Sequence, residues 1–391
     1  MSSEDAELRN VDLQFPLIRG MSRSESSNST HEDRIMTDTG TMVVAVQGDR
    51  NKPAIFTYHD IGLNHVTNFL AFFNQIETKV LMQSFCLYHI NAPGQEEDAS
   101  TLPPGYIFPT LDTLAEMVLA VVEHYGLKHF IGFGVGAGAN ILSRFALMYP
   151  HCVDGLFLVN CTSMAAGWTE WGYQKLNTMY LRNSGMTQST EEYLMWHHFG
   201  RSDTERSYDL IQLFRHYFKK SVNPANLGLF IDSYIRRTDL QIVRETDPSK
   251  KRCVRNFRCH VLLMSGAFSP HLEDTVTMNG RLDPSNSTWM KFSDCGMPLE
   301  ERPNKVREAL YLFLQGLGYA VNQYRRRSSA ASTSNEAFKV LQAYRKSIDY
   351  EANQLPSPTS PTNTTATNTT YSTRQEVHIV ENPINQHTIH P

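Results

Sequence analysis

Short apolar runs and segments of helical periodicity alternate along the first half of the chain. The apolar runs predict strands at 41–46, 54–58, 85–91, 129–133 and 155–160. The helical periodicity between them predicts helices at 66–74, 111–125 and 139–148. Strands that alternate with helices over short connections favour an α/β fold with a mostly parallel sheet and helices on both faces.

The alternation stops near residue 168 and resumes near residue 261. Between 168 and 245 the pattern is mainly helical and the segment is rich in aromatic residues. Strand signals return at 261–265 and 288–292, and an amphipathic helix is predicted at 304–315. A helical block between sheet strands is typical of a cap over the carboxyl edge of the sheet, where open α/β folds bind their ligands.

Polar segments flank this pattern at both ends. Residues 1–32 are rich in serine, and residues 321–391 are rich in arginine, serine, threonine, proline and asparagine. Neither segment can bury enough apolar surface to fold, so we predict a disordered N-terminal segment and a largely disordered tail. The folded domain is predicted to span 33–320, with the inserted cap at about 168–245.

The composition fits a globular protein without a strong electrostatic bias. The 391 residues are 41% hydrophobic and carry a net charge of -4, which gives no reason to expect a nucleic-acid partner. No apolar run resembles a signal peptide or a membrane span. The six cysteines are scattered, so we predict buried thiols rather than disulfides, and a cytoplasmic location. Cys253, Cys259 and His260 have the wrong spacing for zinc, and neither a metal site nor a cofactor is predicted.

A glycine-rich turn follows the predicted strand at 129–133. Gly134, Val135, Gly136, Ala137 and Gly138 have the glycine frame of the G-x-S-x-G nucleophile elbow, but a glycine replaces the nucleophile. The alternative is a G-x-G-x-x-G dinucleotide motif, which belongs after the first strand of its fold with an acid after the next strand. Several elements precede this motif and the acid is missing, so the elbow is favoured.

The other two members of a Ser-Asp-His triad are also missing at their expected positions. In an α/β-hydrolase the acid follows the strand after the cap, where this chain has Ser269, and the histidine follows the last strand, where it has Met297. No histidine occurs between His271 and His378. Loss of a serine nucleophile or its histidine costs about a millionfold in rate, or about 8 kcal/mol. We therefore predict that the chain is not an enzyme.

The loop that would supply the oxyanion hole carries His59 and Asp60, where active hydrolases usually have His-Gly. A carboxylate there opposes the negative charge that the hole must stabilise. The same pair occurs in metal phosphohydrolases, but those sites need further helical histidine and aspartate ligands, so a structural role at a strand end is favoured. His59, Asp60, Val135 and Ala137 are the predicted lining of a pocket between the elbow and the cap.

Together these features resemble the N-myc downstream-regulated (NDR) family, non-catalytic members of the α/β-hydrolase fold. The matching segments include TYHDIGLNH from Thr57, NAPGQ from Asn91, GVGAGANILSRFAL from Gly134 and GWTEW from Gly167. The resemblance covers roughly residues 33–319. It implies an α/β-hydrolase sheet with a helical cap and a cytoplasmic protein that acts through partner binding in signalling, stress response, differentiation or trafficking.

The tail carries a possible regulatory segment. Arg325, Arg326 and Arg327 precede Ser328 and Ser329 at the spacing that basophilic kinases select, and a phosphate would reverse the local charge. Two further serines precede proline and are candidates for proline-directed kinases: Ser357 and Ser360. The three arginines could add about 3 kcal/mol to binding at an anionic membrane, which is too little to hold the protein there alone.

Two hypotheses follow from the sequence. The first is a non-enzymatic scaffold that binds protein partners through its cap surface and tail. The second is a cryptic enzyme or small-ligand receptor that uses the pocket under the cap with different chemistry. A nucleophile beside a histidine in an open pocket would favour the second, and a filled pocket would favour the first.

Overall fold

The computed structural model describes residues 31–200, 208–251 and 253–320 and a short strand at 378–380. In these residues nine strands form one sheet: β1 His31–Thr37, β2 Gly40–Gly48, β3 Ala54–Tyr58, β4 Cys86–Asn91, β5 Phe130–Val135, β6 Val153–Val159, β7 His260–Gly266, β8 Ser287–Phe292 and β9 His378–Val380. Their spatial order is β1-β2-β4-β3-β5-β6-β7-β8-β9. The six strands from β3 to β8 are parallel, and β1, β2 and β9 pair antiparallel with their neighbours. The mostly parallel sheet agrees with the sequence prediction.

Helices connect the strands and cover the sheet. A π-helical turn at Val66–Leu70 leads into α1. The α-helices are α1 Ala71–Phe73, α2 Ile76–Met82, α3 Leu111–His124, α4 Ala137–Met148, α5 Trp168–Ser184, α6 Gln188–Phe199, α7 Tyr208–Lys220, α8 Pro224–Ile235, α9 Leu272–Arg281, α10 Pro298–Glu301 and α11 Pro303–Gly316. Helices α5 to α8 form the inserted cap between β6 and β7, where the sequence predicts it.

The two faces of the sheet bury separate apolar clusters. Neighbouring residues of a strand point to opposite faces. Phe56 and Phe130 accordingly stack with ring centroids 4.1 Å apart in one cluster, with α3, α4 and the cap. On the other face, Phe133 packs against Phe157, and Phe157 packs against Phe313 of α11. The elbow and the cap therefore stand on a sheet that is covered on both sides.

Two predicted domain boundaries differ from the structure. Strand β1 includes His31 and Glu32, which precede the predicted boundary at residue 33, because β1 pairs with β2 from His31 opposite Val46. The sequence HEDRIMT does not show the apolar pattern of a strand, since polar and charged residues make up most of this edge strand. In the predicted disordered tail, β9 pairs with β8. The rest of the tail and residues 1–30 lie outside the described residues.

The glycines after β5 permit a tight turn into α4. Gly136 has φ 51° and ψ -114°, a backbone conformation that L side chains rarely adopt. A side chain at Gly138 would place its Cβ 2.1 Å from the carbonyl oxygen of Tyr58, so the amino end of α4 can lie directly against the end of β3. This close approach brings the loop after β3 to the elbow.

All six cysteines are free thiols, as the sequence predicts, and Cys253 is the exposed one among them. In the described part of the chain, every helix is too short or too polar to traverse a lipid bilayer.

Candidate functional site

Asp60 lies at the centre of the candidate site, in the loop after β3. The residue is 3% exposed. Oδ1 accepts hydrogen bonds from the backbone N–H groups of Ile61 and Ala137, each at 2.8 Å. The Asp60 N–H donates to Oδ1 of Asn68, which fixes the loop from the π-helical turn. The carboxylate thus joins the loop after β3 to the amino end of α4.

These two N–H donors occupy the positions that form an oxyanion hole in hydrolases of this architecture. One comes from the residue after the elbow centre, here Ala137, and the other comes from the loop after β3, here Ile61. In a hydrolase both donate to the oxygen that becomes negative in the transition state. Here both donate to the carboxylate of Asp60, which belongs to the protein itself and not to a substrate.

The same carboxylate lies where a nucleophile would project from the elbow. A Cβ built at Gly136 would be 2.1 Å from Cγ and Oδ1 of Asp60 and 2.2 Å from Oδ2. Even an alanine there would overlap the carboxyl group. A side chain at Gly136 and the Asp60 carboxyl group therefore cannot occupy this space together.

The cap closes the site from above with histidines on α6. Nε2 of His197 lies 3.1 Å from Oδ2 of Asp60, and Nδ1 of His198 lies 3.6 Å from the same oxygen. On the far side of the His197 ring, Nδ1 lies 3.3 Å from the Tyr193 hydroxyl and 3.2 Å from Nε2 of His271. All five side chains are buried.

The sequence analysis missed these cap residues. The adjacent histidines 197 and 198 in an otherwise aromatic helix were the available signal, because burying two imidazoles together requires nearby polar partners. His59 and Asp60 lie in the loop after β3, and Asp60 contacts Ala137 of the elbow and His197 of the cap. A pocket lined by those residues and open to a ligand stays a prediction.

His59 has a structural role at the end of β3. Its Nδ1–H donates to the Asp60 carbonyl oxygen at 2.8 Å, and its Nε2 accepts from the Ala92 N–H at 3.0 Å. Both ring nitrogens are therefore used by the backbone, and burial lowers the pKa of His59 to about 4. Val135 is the last residue of β5 and is buried.

Electrostatics keep Asp60 ionised. Burial alone would raise its pKa, but the imidazole of His197 and the N–H of Ala137 hold the pKa well below its usual range. Burial also lowers the pKa of His198 to about 4 and that of His271 well below its ordinary value. The centre is thus a buried carboxylate surrounded by imidazoles.

Ser269 and Met297, which stand where the sequence analysis expects the acid and the histidine of a triad, make local contacts. Ser269 Oγ accepts from the His271 N–H at 3.2 Å. The N–H of Met297 donates to Oε2 of Glu301 at 2.7 Å, and the Met297 side chain is buried in the apolar core.

The residues predicted for phosphorylation and membrane contact lie outside the described residues: Arg325, Arg326, Arg327, Ser328, Ser329, Ser357 and Ser360.

Buried neutral histidines predict a pH-dependent stability. Burial lowers the pKa of His65 to about 4 and lowers that of His89 well below its ordinary value of 6.5. Because the unfolded chain takes up these protons first, the free energy of unfolding should fall as the pH falls from about 6.5 towards 4. Urea titrations at pH 7, 6 and 5 measure this loss, and His65→Gln should make it shallower. An unfolding midpoint that is independent of pH in this range would contradict the assignment.

Sequence comparisons identify relatives over nearly all of the described chain. Residues 32–321 match the profile described as "Ndr family". Protein NDRG3 of Xenopus laevis is 42% identical over 291 residues, which cover 74% of this chain and 76% of that protein. Protein NDRG1 of Xenopus tropicalis is 39% identical over 316 residues, which cover 78% of each.

Structural comparisons identify the fold. A thermophilic esterase from Thermogutta terrifontis superposes with a TM-score of 0.60 at 17% identity, covering 74% of this chain and 100% of that one. An enol-lactonase from Burkholderia xenovorans gives 0.56 at 14% identity, covering 72% and 100%. The architecture is that of the α/β-hydrolases, as the sequence predicts, and at these identities the likeness concerns the fold alone.

Proposed function

The chain belongs to the Ndr family, and from this premise we propose that it is a non-enzymatic signalling or adaptor protein that uses the α/β-hydrolase fold to present a partner-binding cap. The observation that carries the proposal is the Asp60 carboxylate, which accepts from both oxyanion-hole donors and overlaps the position of a side chain at Gly136. A substrate carbonyl would have to displace a buried anion held by two backbone N–H groups and an imidazole. Such a site favours a fixed structure over turnover.

Helix α5 of the cap supports partner binding because it buries polar side chains and exposes apolar ones, the reverse of the usual distribution. Three polar side chains face the interior and are less than 5% exposed: Gln174, Asn177 and Thr178. Large apolar side chains face outwards, with Trp168 90% exposed and Leu176 52% exposed. Exposed apolar area of this kind is typical of an interaction surface. Aromatic residues are also the ones that most often dominate protein interfaces.

In this proposal phosphorylation of the tail regulates partner binding. Phosphorylation at Ser328 or Ser329 would place about -1.5 to -2 charges beside Arg325, Arg326 and Arg327. The same arginines would assist contact with an anionic membrane until they are neutralised. The protein would act in the cytoplasm.

Substitution of the exposed α5 face tests the partner surface. We expect Trp168→Ser together with Leu176→Ser to reduce capture of specific partners from cell extract by at least about tenfold, since central interface residues contribute 2 kcal/mol or more each. Quantitative affinity capture with the full-length chain measures the effect. Leu312→Ser on α11, where the leucine is 58% exposed, is the matched control and should leave capture unchanged. Equal loss in both variants would refute the cap surface.

A further inference from the structure

One oxygen and two imidazole nitrogens converge between the cap and the sheet domain. Oδ2 of Asp60 lies 3.1 Å from Nε2 of His197 and 3.6 Å from Nδ1 of His198, and the three atoms all lie within 4.8 Å of one another. A zinc ion with ligands at about 2.0–2.2 Å holds tetrahedral ligand atoms about 3–3.6 Å apart. The two distances from Oδ2 of Asp60 therefore match the spacing between ligands of one divalent cation, and the third atom pair is close enough to share it.

The hydrogen bonding of His198 gives a second, independent reason to expect a cation. Its Nε2 lies 2.9 Å from the Ile61 carbonyl oxygen, which can only accept, so the proton must be on Nε2. In the neutral ring Nδ1 then carries a lone pair that faces the Asp60 carboxylate. A lone pair and an anionic oxygen repel each other unless a positive charge lies between them.

The surroundings of the other ligands also suit a metal. Oδ1 of Asp60 is fixed by two backbone N–H groups, which leaves Oδ2 free to coordinate. If Nε2 of His197 coordinates a cation, its proton moves to Nδ1, where the Tyr193 hydroxyl at 3.3 Å and Nε2 of His271 at 3.2 Å can both accept it. Outer partners of this kind orient metal-bound histidines in many proteins.

From this geometry we infer that Asp60, His197 and His198 bind a divalent transition-metal cation, of which zinc suits two imidazoles and a carboxylate. This site is not predicted from the sequence, because the further histidines that a His59–Asp60 metal pair would need lie on a helix of the cap, 137 residues away from Asp60 in the case of His197. His59 is not a ligand, since the backbone uses both its nitrogens. The cation would tie α6 of the cap to the loop after β3.

The first test uses the full-length wild-type chain loaded with zinc and dialysed. We expect about one retained zinc ion per chain, and X-ray absorption of that ion should show two imidazole nitrogens with oxygen donors. Chelation should also increase protease cleavage within the cap. Sulfur in the coordination shell, a single imidazole or no retained zinc would overturn the assignment.

Substitutions distinguish the proposed metal ligands from residues that only contact a ligand. His198→Asn should lower zinc affinity, measured by competition with a chelator, by more than His271→Asn, for which we expect about 10–100-fold. The exposed His151→Asn is the matched control and should bind zinc like the wild type. Equal zinc binding by the folded His198→Asn variant would refute the site. This result is independent of the proposed function, which ester turnover and partner capture test separately.

Discussion

Replacing Asp60 by alanine should lower the free energy of unfolding by about 3–5 kcal/mol, as expected when one member of a buried charged network is removed. The variant leaves the N–H groups of Ile61 and Ala137 buried without their acceptor and takes the anion away from His197. It also breaks the connection between the loop after β3, helix α4 and the cap. Urea denaturation followed by circular dichroism measures the change.

Two controls separate the network from general damage. Asp60→Asn keeps one oxygen that can accept from both N–H groups, so it should lose clearly less stability than Asp60→Ala. Glu116→Ala, at an exposed carboxylate on α3, should leave the midpoint unchanged. If Asp60→Ala behaves like Glu116→Ala, the carboxylate of Asp60 does not organise the site.

Gly136→Ser should destabilise the protein by at least about 2 kcal/mol. The new residue would need a backbone conformation unfavourable to side chains, and its Cβ would overlap the Asp60 carboxyl group at 2.1 Å. The serine would also have no histidine at the Met297 position to activate it. We therefore expect no esterase activity from this variant.

A double variant distinguishes the overlap with Asp60 from backbone strain. In an Asp60→Gly background the obstructing carboxyl group is gone, so Gly136→Ser should cost less than it does in the wild type. A coupling of about 0.5–3 kcal/mol is expected for side chains in direct contact. Strictly additive losses would mean that the serine avoids Asp60 and that the elbow is not blocked in the way the geometry indicates.

The sequence predicts the sheet and the elbow well because both depend on local patterns. Apolar runs mark the buried strands, and the glycine spacing marks the tight turn between β5 and α4. Strand β1 is missed because an edge strand with polar residues has no such pattern. Asp60 is recognised as unusual from its place in the oxyanion loop, but its double role as acceptor and obstruction depends on the fold.

The cap side of the site could not be predicted from the sequence. His197 contacts Asp60, which is 137 residues away in the sequence, and His271, which is 74 residues away. No local sequence pattern encodes either contact. The reversed polarity of α5 was also hidden, because helical periodicity shows which residues share a face but not which face is buried. Only the packing of α5 against the rest of the cap places Asn177 inside and Trp168 outside.

Ester turnover by the wild-type chain tests the central claim most directly. Hydrolysis of short-chain p-nitrophenyl esters should be measured at increasing substrate concentration for the wild type and for Asp60→Asn, which preserves an acceptor for the N–H groups of Ile61 and Ala137. We expect slow, non-saturating hydrolysis at the same rate in both proteins. Saturable turnover by the wild type that Asp60→Asn abolishes would show that the site is catalytic and would contradict the account.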